Sequence, residues 1–403
     1  MDMIPFNKPF LTGKEAHYIY QAVYSGKLSG NGIYTKKCQQ FFEEHYGFKK
    51  ALMTTSCTDA LEMAAILCDI KPGDEVIAPS YTFVSTVLAF VRQGARIVFC
   101  DSCKDNPNID PDKIEALITE RTKVIVPVHY AGVACDMDRI MDIAARHNLL
   151  VVEDAAQAID SYYKGRALGS IGHLGCFSFH ETKNIIAGEG GLLTINDERF
   201  IRRSEIIWEK GTNRSEFFRG EVNKYGWVDT GSSFLPSELI SAFLWAQIEN
   251  LDHIQIRRKE IWQQYYHRLK PLADQGYFHL PNIPEYATNN AHMFYILCLS
   301  LRERSALIQY LKDNGILSVF HYLSLHKSIF YTTHSNSRPN KYQEIEILSD
   351  EQQVIGLNLP NCDYFADCLL RLPMFYELSQ EHIEKIVYYI QSFFKSVFGF
   401  KLN

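Results

Sequence analysis

Between residues 49 and 196 the sequence alternates short apolar segments with amphipathic ones, and this alternation restricts the possible fold more than any other feature. The short segments predict strands, and segments with apolar residues three and four positions apart predict helices. We predict strands at 51–55, 75–79, 96–101, 123–129, 149–153 and 175–179, and helices at 58–69, 84–93 and 136–147. This alternation predicts an α/β fold in which helices cover a mostly parallel central sheet.

The pattern changes after about residue 196. A long helix is predicted over 236–269, followed by a strand at 293–299 and by helices at 304–314 and 380–395. This mixture predicts a smaller α+β domain. We therefore expect a large domain over residues 1–250 and a small C-terminal domain over residues 251–403.

The charge balance narrows the classes of function. The 403 residues include 41 Lys and Arg against 47 Asp and Glu, which gives a formal net charge of −6. A mildly acidic chain without a basic tail is not expected to be a general nucleic-acid binder. Such a chain can still hold an anion in a local pocket.

The cysteines and the hydropathy pattern indicate the compartment. The ten cysteines show no framework spacing, and Cys100-x-x-Cys103 has no second pair to complete a zinc site. We interpret them as thiols of a reducing cytosol and predict no metal site. No run of about 18 apolar residues occurs, and residues 1–10 lack the apolar core of a signal peptide. These observations predict a cytoplasmic protein.

Two residues that follow strands suggest a particular chemistry. In sheets of this type, ligands bind beyond the carboxyl ends of the strands. Asp154 follows the segment 149–153, and Lys183 follows the segment 175–179. A lysine in a closed site can act as a Schiff-base nucleophile, and a carboxylate facing a pyridine nitrogen keeps pyridoxal phosphate an electron sink. Taken alone, the pair favours the interpretation of a solvated loop lysine and a helix-capping aspartate.

Other strand ends carry groups that suit the same cofactor. Ser56-Cys57-Thr58 begins a helix, so the backbone N–H groups and hydroxyls there predict a phosphate site. Ser178 adds a hydroxyl, and Phe83 offers an aromatic face for stacking on a flat ring. All these groups lie at the carboxyl ends of one predicted sheet, and this coincidence favours the functional interpretation of Lys183 and Asp154.

Three motifs resemble those of the DegT-type nucleotide-sugar aminotransferases. They are Val152-Glu153-Asp154-Ala155-Ala156-Gln157, Ser178-Phe179-His180-x-x-Lys183-Asn184 and Gly188-Glu189-Gly190-Gly191. The segments 79–86, 126–135 and 209–215 resemble the branch that makes 4-amino-4,6-dideoxygalactose on a dTDP carrier. The resemblance covers essentially the whole chain and implies a fold-type I pyridoxal phosphate-dependent aminotransferase.

The resemblance also implies roles for individual residues. Lys183 would bind the cofactor covalently and later move protons, Asp154 would pair with the pyridine nitrogen, and Gln157 and His180 would lie beside the ring. The implied contacts with the phosphate and the ring face are Cys57, Thr58, Ser178 and Phe83. Sugar dehydratases of this fold carry His at the lysine position, so Lys183 favours transamination.

A homodimer with both active sites at the subunit interface is implied as well. The family often supplies an Asn from the neighbouring subunit to the phosphate, in a Gly-x-Asn-x-Arg pattern. The matching stretch here is Gly231-Ser232-Ser233-Phe234-Leu235, so Ser233 stands at the Asn position. A hydroxyl can still donate a hydrogen bond to phosphate.

Substrate contacts are expected in two places. The polar segment 210–224 carries Lys210 and Arg214, which suit the diphosphate of a nucleotide sugar, and a solvated charged surface is the alternative. His321, Tyr322 and His326 resemble the substrate-facing C-terminal motif of the family.

The resemblance implies a reaction between L-glutamate and dTDP-4-keto-6-deoxyglucose. The product would be dTDP-4-amino-4,6-dideoxygalactose, for a bacterial surface polysaccharide. The motifs leave open the C4 epimer or amination at C3. A pyridoxal phosphate-binding regulator without turnover is the rival of another class, and the presence of Lys183, Asp154, Gln157 and Ser178 argues against it.

Overall fold

The apolar segments of the first half form a central sheet in a computed structural model that describes residues 3–334, 343–348 and 352–398. The strands are β1 (Lys50–Thr54), β2 (Glu75–Pro79), β3 (Arg96–Cys100), β4 (Thr122–Ile125), β5 (Leu150–Asp154), β6 (Tyr162–Tyr163), β7 (Arg166–Ala167), β8 (Leu174–Ser178), β9 (Gly191–Ile195), β10 (Phe294–Leu297), β11 (Val319–Phe320), β12 (Gln343–Leu348), β13 (Gln352–Leu357) and β14 (Leu369–Leu372).

Helices connect and cover these strands. They are α1 (Glu15–Tyr24), α2 (Ile33–Tyr46), α3 (Cys57–Leu67), α4 (Ser85–Arg92), α5 (Pro111–Ile114), α6 (Met137–Arg146), α7 (Ile201–Trp208), α8 (Arg214–Phe218), α9 (Glu238–Ile248), α10 (Leu251–Asp274), α11 (Leu301–Asp313), α12 (Ile329–His334), α13 (Pro360–Cys368) and α14 (Gln380–Phe398). Among the described helices, none is long and apolar enough to cross a membrane.

The central sheet has seven strands in the order β1-β9-β8-β5-β4-β2-β3. The pairs from β8 through β5, β4 and β2 to β3 are parallel, and β9 runs antiparallel to both β8 and β1. Every residue of β2 and β9 is buried, as expected for strands that helices cover on both faces. The predicted α/β fold with a mostly parallel sheet is confirmed.

Local sequence determines where α3, the helix after β1, begins. The Ser56 hydroxyl accepts a hydrogen bond from the Asp59 N–H at 3.1 Å and caps the helix. The helix then buries Ala60, Leu61 and Ala64 against the sheet. The cap therefore holds the first turn of α3 at the carboxyl edge of the sheet.

A second, antiparallel sheet lies in the C-terminal part, in the order β10-β14-β11. Its apolar face joins a separate core with α10, α11 and α14, to which Leu269, Leu307 and Ile386 contribute. The start of the chain reaches this part as well, since Ile4 forms a parallel bridge with Ile316. The division into domains at residue 250 stays a prediction.

Two predicted elements were wrong in extent. The helix predicted over 236–269 is two helices, because the chain leaves helical geometry at Asn250, whose side-chain amide donates to the Ala246 carbonyl at 2.9 Å. The strand predicted over 123–129 ends at Ile125, since Pro127 has no N–H to continue the ladder.

Candidate active site

A cavity of about 760 Å³ opens at the carboxyl ends of β1, β5 and β8 and is also lined by β11 and β14. The predicted site residues that line it are Cys57, Thr58, Phe83, Asp154, Gln157, Ser178, His180, Lys183, His321 and Tyr322. Residues more than 260 positions apart in the sequence, such as Cys57 and Tyr322, therefore meet at one site.

Lys183 lies in the turn after β8 and lines the cavity. Its backbone N–H donates to the His180 carbonyl at 2.9 Å, which holds the turn. Burial lowers the pKa of the Lys183 amine, although Cys57 and Asp154 oppose the shift. A lowered pKa enlarges the unprotonated fraction, which is the form that acts as nucleophile or proton acceptor.

Asp154 ends β5 with its carboxylate buried. The Thr86 hydroxyl donates to Oδ2 at 2.6 Å, and the Ala156 N–H donates to Oδ1 at 3.1 Å. Burial raises the pKa of Asp154, while the bonds from Thr86 and Ala156 and the charge of Lys183 lower it. These contacts give the carboxylate one orientation at the cavity wall.

The first turn of α3 forms a polar edge of the cavity. Cys57 and Thr58 line it, and the Thr58 and Ser85 hydroxyl oxygens are 2.8 Å apart. Strand β9 passes directly beneath this turn, since a Cβ added at Gly191 would overlap the backbone of Ser56 and Cys57. A helix N-terminus with hydroxyls nearby suits a phosphate group.

Gln157 and Tyr322 connect the two parts of the chain across the cavity. The Gln157 side-chain amide donates to the Tyr322 hydroxyl at 3.0 Å, and its oxygen accepts from the Ala131 N–H at 2.6 Å. Tyr322 has a φ of 45°, a left-handed conformation that is strained for a residue with a bulky side chain. The His321 Nδ1 and the Tyr130 hydroxyl are 2.6 Å apart, which anchors the strained segment.

Phe83 and His180 lie at the more open rim. Phe83 is 55% exposed, so its ring offers a free face toward the cavity. His180 Nδ1 is 3.0 Å from the Thr182 hydroxyl, and its Nε2 is 3.7 Å from the Glu189 carboxylate. Ser178 lies close by and accepts from the His180 N–H at 3.3 Å.

Four predicted site residues do not line this cavity. Ser233, Lys210 and Arg214 are exposed, and Arg214 is 3.9 Å from the Glu209 carboxylate. His326 is buried, with its Nδ1 2.7 Å from the Ser80 hydroxyl and its Nε2 3.6 Å from the Asp363 carboxylate. Their roles in binding stay predictions.

Sequence reasoning missed three residues of the site. Thr86 holds Asp154, and Arg371 and His292 line the cavity. The His292 Nδ1 lies 2.8 Å from the Asn184 side-chain oxygen, and burial lowers the pKa of His292 well below its ordinary value. A signal for Arg371 was present, because it is a lone charge in the apolar strand Leu369–Leu372.

Comparison with known proteins assigns the chain to a family. The sequence profile of the DegT/DnrJ/EryC1/StrS aminotransferase family matches residues 10–391. The chain belongs to this family. The predicted resemblance is thereby confirmed over nearly the whole chain.

Members with known names agree with this assignment. The chain is 31% identical to the spore coat polysaccharide biosynthesis protein SpsC of Bacillus subtilis over 396 residues, covering 95% of each. It superimposes with a TM-score of 0.85 on Spr1654 of Streptococcus pneumoniae, assigned as a sugar aminotransferase, at 26% identity over 98% of this chain and 99% of that one. DesV of S. venezuelae gives a TM-score of 0.84 at 26% identity, with both chains fully covered.

Spr1654 is known in forms with pyridoxal phosphate and with pyridoxamine phosphate, so pyridoxal phosphate is the expected cofactor of this family member. The residues of the cavity fit this group chemically. Asp154 is a buried carboxylate for a ring nitrogen, Lys183 is an amine of lowered pKa, and Phe83 presents a free aromatic face. Cys57 and Thr58 provide the helix N-terminus for the phosphate.

Proposed function

We propose that this sugar aminotransferase transfers the amino group of L-glutamate to dTDP-4-keto-6-deoxyglucose. The product would be dTDP-4-amino-4,6-dideoxygalactose, used for a bacterial surface polysaccharide. The observation that carries transamination is that Lys183 and Asp154 face one cavity beside a helix N-terminus. The choice of sugar is supported by the segments 79–86, 126–135 and 209–215, which resemble the corresponding branch of the family.

When bound, pyridoxal phosphate supplies an electron sink that stabilises negative charge on the carbon losing a proton. Lys183 would take up and return that proton at Nζ, as a general base and then a general acid. Its lowered pKa enlarges the unprotonated fraction of the amine, which is the form that accepts a proton. Asp154 would hold a positive charge at the ring nitrogen, which its fixed orientation by Thr86 and Ala156 favours.

The remaining residues of the cavity would orient and enclose the cofactor and the sugar. Thr58 and Ser178 would donate their hydroxyls to the phosphate, and Cys57 would donate its backbone N–H. Phe83 would stack on the ring, and Gln157 and His180 would bond at its edge. His321 and Tyr322 would face the sugar.

We further infer a homodimer in which the second subunit completes the site. Ser233, Lys210 and Arg214 lie on the surface of one chain, where they would be available to the cavity of a neighbour. The same region exposes large apolar rings, with Trp227 84% and Phe218 68% exposed. Exposed aromatic groups of this kind are typical of surfaces that a partner covers.

The dimer is tested by mixing two inactive variants, Lys183→Ala and Ser233→Trp. If each site uses residues of both subunits, mixed dimers regain one intact site and up to a quarter of the wild-type activity. Light scattering would give the mass of the assembly. A monomeric enzyme with full activity would contradict the dimer.

The reaction is tested by incubating the purified enzyme with dTDP-4-keto-6-deoxyglucose and L-glutamate. The position and configuration of the amine in the product are then determined by NMR. An axial amine at C4 supports the proposal. An equatorial amine identifies the epimer, an amine at C3 identifies the other alternative, and no amination excludes this ketosugar.

Lys183→Ala tests the residue that carries the proposal. We expect turnover to fall by on the order of 10³-fold or more, since a positioned acid–base group contributes about 10²- to 10⁴-fold. The visible absorption of bound cofactor should change in the same variant. Lys270→Ala, at an exposed lysine of α10 that pairs with Asp274, is the matched control and should change neither. A colourless wild-type protein that takes up no pyridoxal phosphate would contradict the enzyme assignment.

A further inference from the structure

His292 is a buried histidine in the cavity wall to which the proposed contacts assign no role. It lies two residues before β10 and is 8% exposed. The buried Arg258 side chain fixes its backbone, because Nε donates to the Ala291 carbonyl at 3.0 Å and Nη2 donates to the His292 carbonyl at 2.6 Å. The ring is therefore held at one place in the wall.

The His292 ring begins a chain of side-chain contacts that ends at a carboxylate. Its Nδ1 lies 2.8 Å from the Asn184 side-chain oxygen. The Asn184 amide nitrogen donates to the Gln255 side-chain oxygen at 2.8 Å and to the Asn290 backbone carbonyl at 2.9 Å. The Gln255 amide nitrogen donates to the Asp160 carboxylate at 3.1 Å. Because a backbone carbonyl and a carboxylate only accept, they fix the orientation of both amides.

This chain assigns the tautomer of His292. The Asn184 oxygen only accepts, so Nδ1 carries the ring proton and donates it. Burial lowers the pKa of His292 well below its ordinary value, so the ring is neutral and its Nε2 has a free lone pair. No residue in the described part of the chain donates a hydrogen bond to Nε2. The ring therefore offers the cavity an acceptor.

The charges around His292 indicate which kind of donor its Nε2 accepts. Lys183, Arg258 and Arg371 lie close enough that the charge of each lowers the pKa of His292. The same charges repel an ammonium group of a ligand, whereas a neutral hydroxyl meets no such repulsion. An acceptor that is shielded from water and left without a donor costs free energy, which a hydroxyl would recover. The surroundings therefore favour a hydroxyl group.

The proposed ketosugar carries one hydroxyl beside its reacting carbon. In a 4-keto-6-deoxyhexose, C3 bears a hydroxyl, whereas C5 bears the ring oxygen and a methyl group. Lys183 must reach the reacting carbon, and its charge acts on His292, so the hydroxyl nearest that carbon is the one that suits Nε2. A contact on one side of the ketone also fixes which way round the sugar lies.

We propose that His292 accepts a hydrogen bond from the C3 hydroxyl of the ketosugar through Nε2. This inference rests on the proposed function and names a residue that selects and orients the sugar. Asn184 holds the tautomer, so the same nitrogen does not donate to the sugar.

The test measures the binding of three unreactive nucleotide sugars to the pyridoxal phosphate form of the enzyme by calorimetry. They are dTDP-6-deoxyglucose, its 3-deoxy analogue and its 3-deoxy-3-fluoro analogue, and none has a ketone. Fluorine cannot donate a hydrogen bond, so we expect the wild type to bind both analogues on the order of 10-fold more weakly than the hydroxyl compound. In His292→Leu the three Kd values should agree within about twofold, because the acceptor is gone.

Controls separate this contact from a loss of structure. His173→Leu changes a histidine outside the cavity lining, whose Nδ1 accepts from the Val151 N–H at 2.9 Å, and it should keep the wild-type ratio of Kd values. His292→Gln keeps a side-chain oxygen and should restore part of the preference for the hydroxyl. The visible absorption of bound cofactor should be unchanged in His292→Leu, and if that variant does not fold, the wild-type values alone still test the direction of the hydrogen bond.

Several outcomes would overturn the assignment. Equal binding of the three sugars by the wild type would do so, and a fluoro analogue that binds as tightly as the hydroxyl compound would mean that the site donates at C3. A preference for the hydroxyl that persists in His292→Leu would assign the contact to another residue. No binding of any of the three would contradict the proposed sugar as well. A wild type that prefers the hydroxyl through His292 but does not aminate dTDP-4-keto-6-deoxyglucose would instead contradict the proposed reaction alone.

Discussion

At the scale of single residues, burial shifts the pKa values of the two central groups of the site in opposite directions. Burial lowers the pKa of Lys183 and raises the pKa of Asp154, so burial favours the neutral form of each. The charge of each favours the charged form of the other. The Thr86 hydroxyl and the Ala156 N–H also favour the ionised form of Asp154, because both donate hydrogen bonds to the carboxylate.

Thr86→Val tests whether this hydroxyl keeps Asp154 ionised. Loss of the hydrogen bond should raise the pKa of Asp154, so turnover should fall roughly tenfold, with most of the loss near pH 6 rather than pH 8. The measurement is the pH profile of kcat. Thr194→Val removes a buried hydroxyl that donates to Gly169, away from the cavity, and should leave the profile unshifted. An unshifted profile for Thr86→Val would contradict this role.

Two histidines of the cavity should make the fold sensitive to acid. His292 and His321 are 8% and 7% exposed, and burial holds the pKa of each well below the ordinary value of 6.5. Below that pH the unfolded chain binds protons that the folded chain does not, so stability is lost as pH falls. We expect each to reduce the free energy of unfolding by about 1 kcal/mol between pH 7.5 and 5.5.

Urea titration of His321→Asn at both pH values tests this expectation. The variant should lose less stability on acidification than the wild type. His253→Asn, at an exposed position of α10, should behave like the wild type. If His321→Asn loses as much stability on acidification as the wild type, the His321 ring of the wild type is protonated in the folded state.

At the scale of elements, the strand–helix junctions carry most of the chemistry. The prediction of α3 from residues 58–69 was close to the observed Cys57–Leu67, because the cap and the apolar spacing are both local signals. The break between α9 and α10 was missed, since asparagine also occurs inside helices and Asn250 alone therefore did not predict a break.

Ser56→Ala tests the coupling of a helix cap to cofactor binding. Ser56 caps α3 at the cavity, and Ser300, which does not line the cavity, caps α11 with a similar bond, 3.2 Å from the Glu303 N–H. Each Ser→Ala variant should lose about 1 kcal/mol of stability. Only Ser56→Ala should weaken pyridoxal phosphate binding, measured by fluorescence titration. Equal affinities in the two variants would contradict a role for this turn in binding the phosphate.

At the scale of the whole molecule, the cavity joins parts of the chain that are far apart in sequence. Tyr322 reaches Gln157, and Tyr81 donates to the His321 carbonyl at 2.8 Å. A ligand in this cavity contacts both parts and should stabilise them together.

Pyridoxal phosphate should therefore raise the unfolding temperature in a single transition. At a free concentration of 100 times Kd the gain is about 2.7 kcal/mol. Pyridoxal without phosphate should raise it less at equal concentration, because it leaves the helix N-terminus empty. Differential scanning calorimetry measures both. Equal stabilisation by the two compounds would argue against the phosphate site at Thr58 and Ser178.

The sequence by itself determined the α/β class, the mostly parallel sheet and the family, because periodicity, turn chemistry and motif spacing are encoded in neighbouring residues. It also marked Lys183 and Asp154, which follow predicted strands. Only the tertiary structure decided that Thr86 holds Asp154 and that Arg371 lines the cavity with no ion-pair partner in the described part of the chain. These facts depend on contacts between residues 68 or more positions apart, which no local pattern in one sequence specifies.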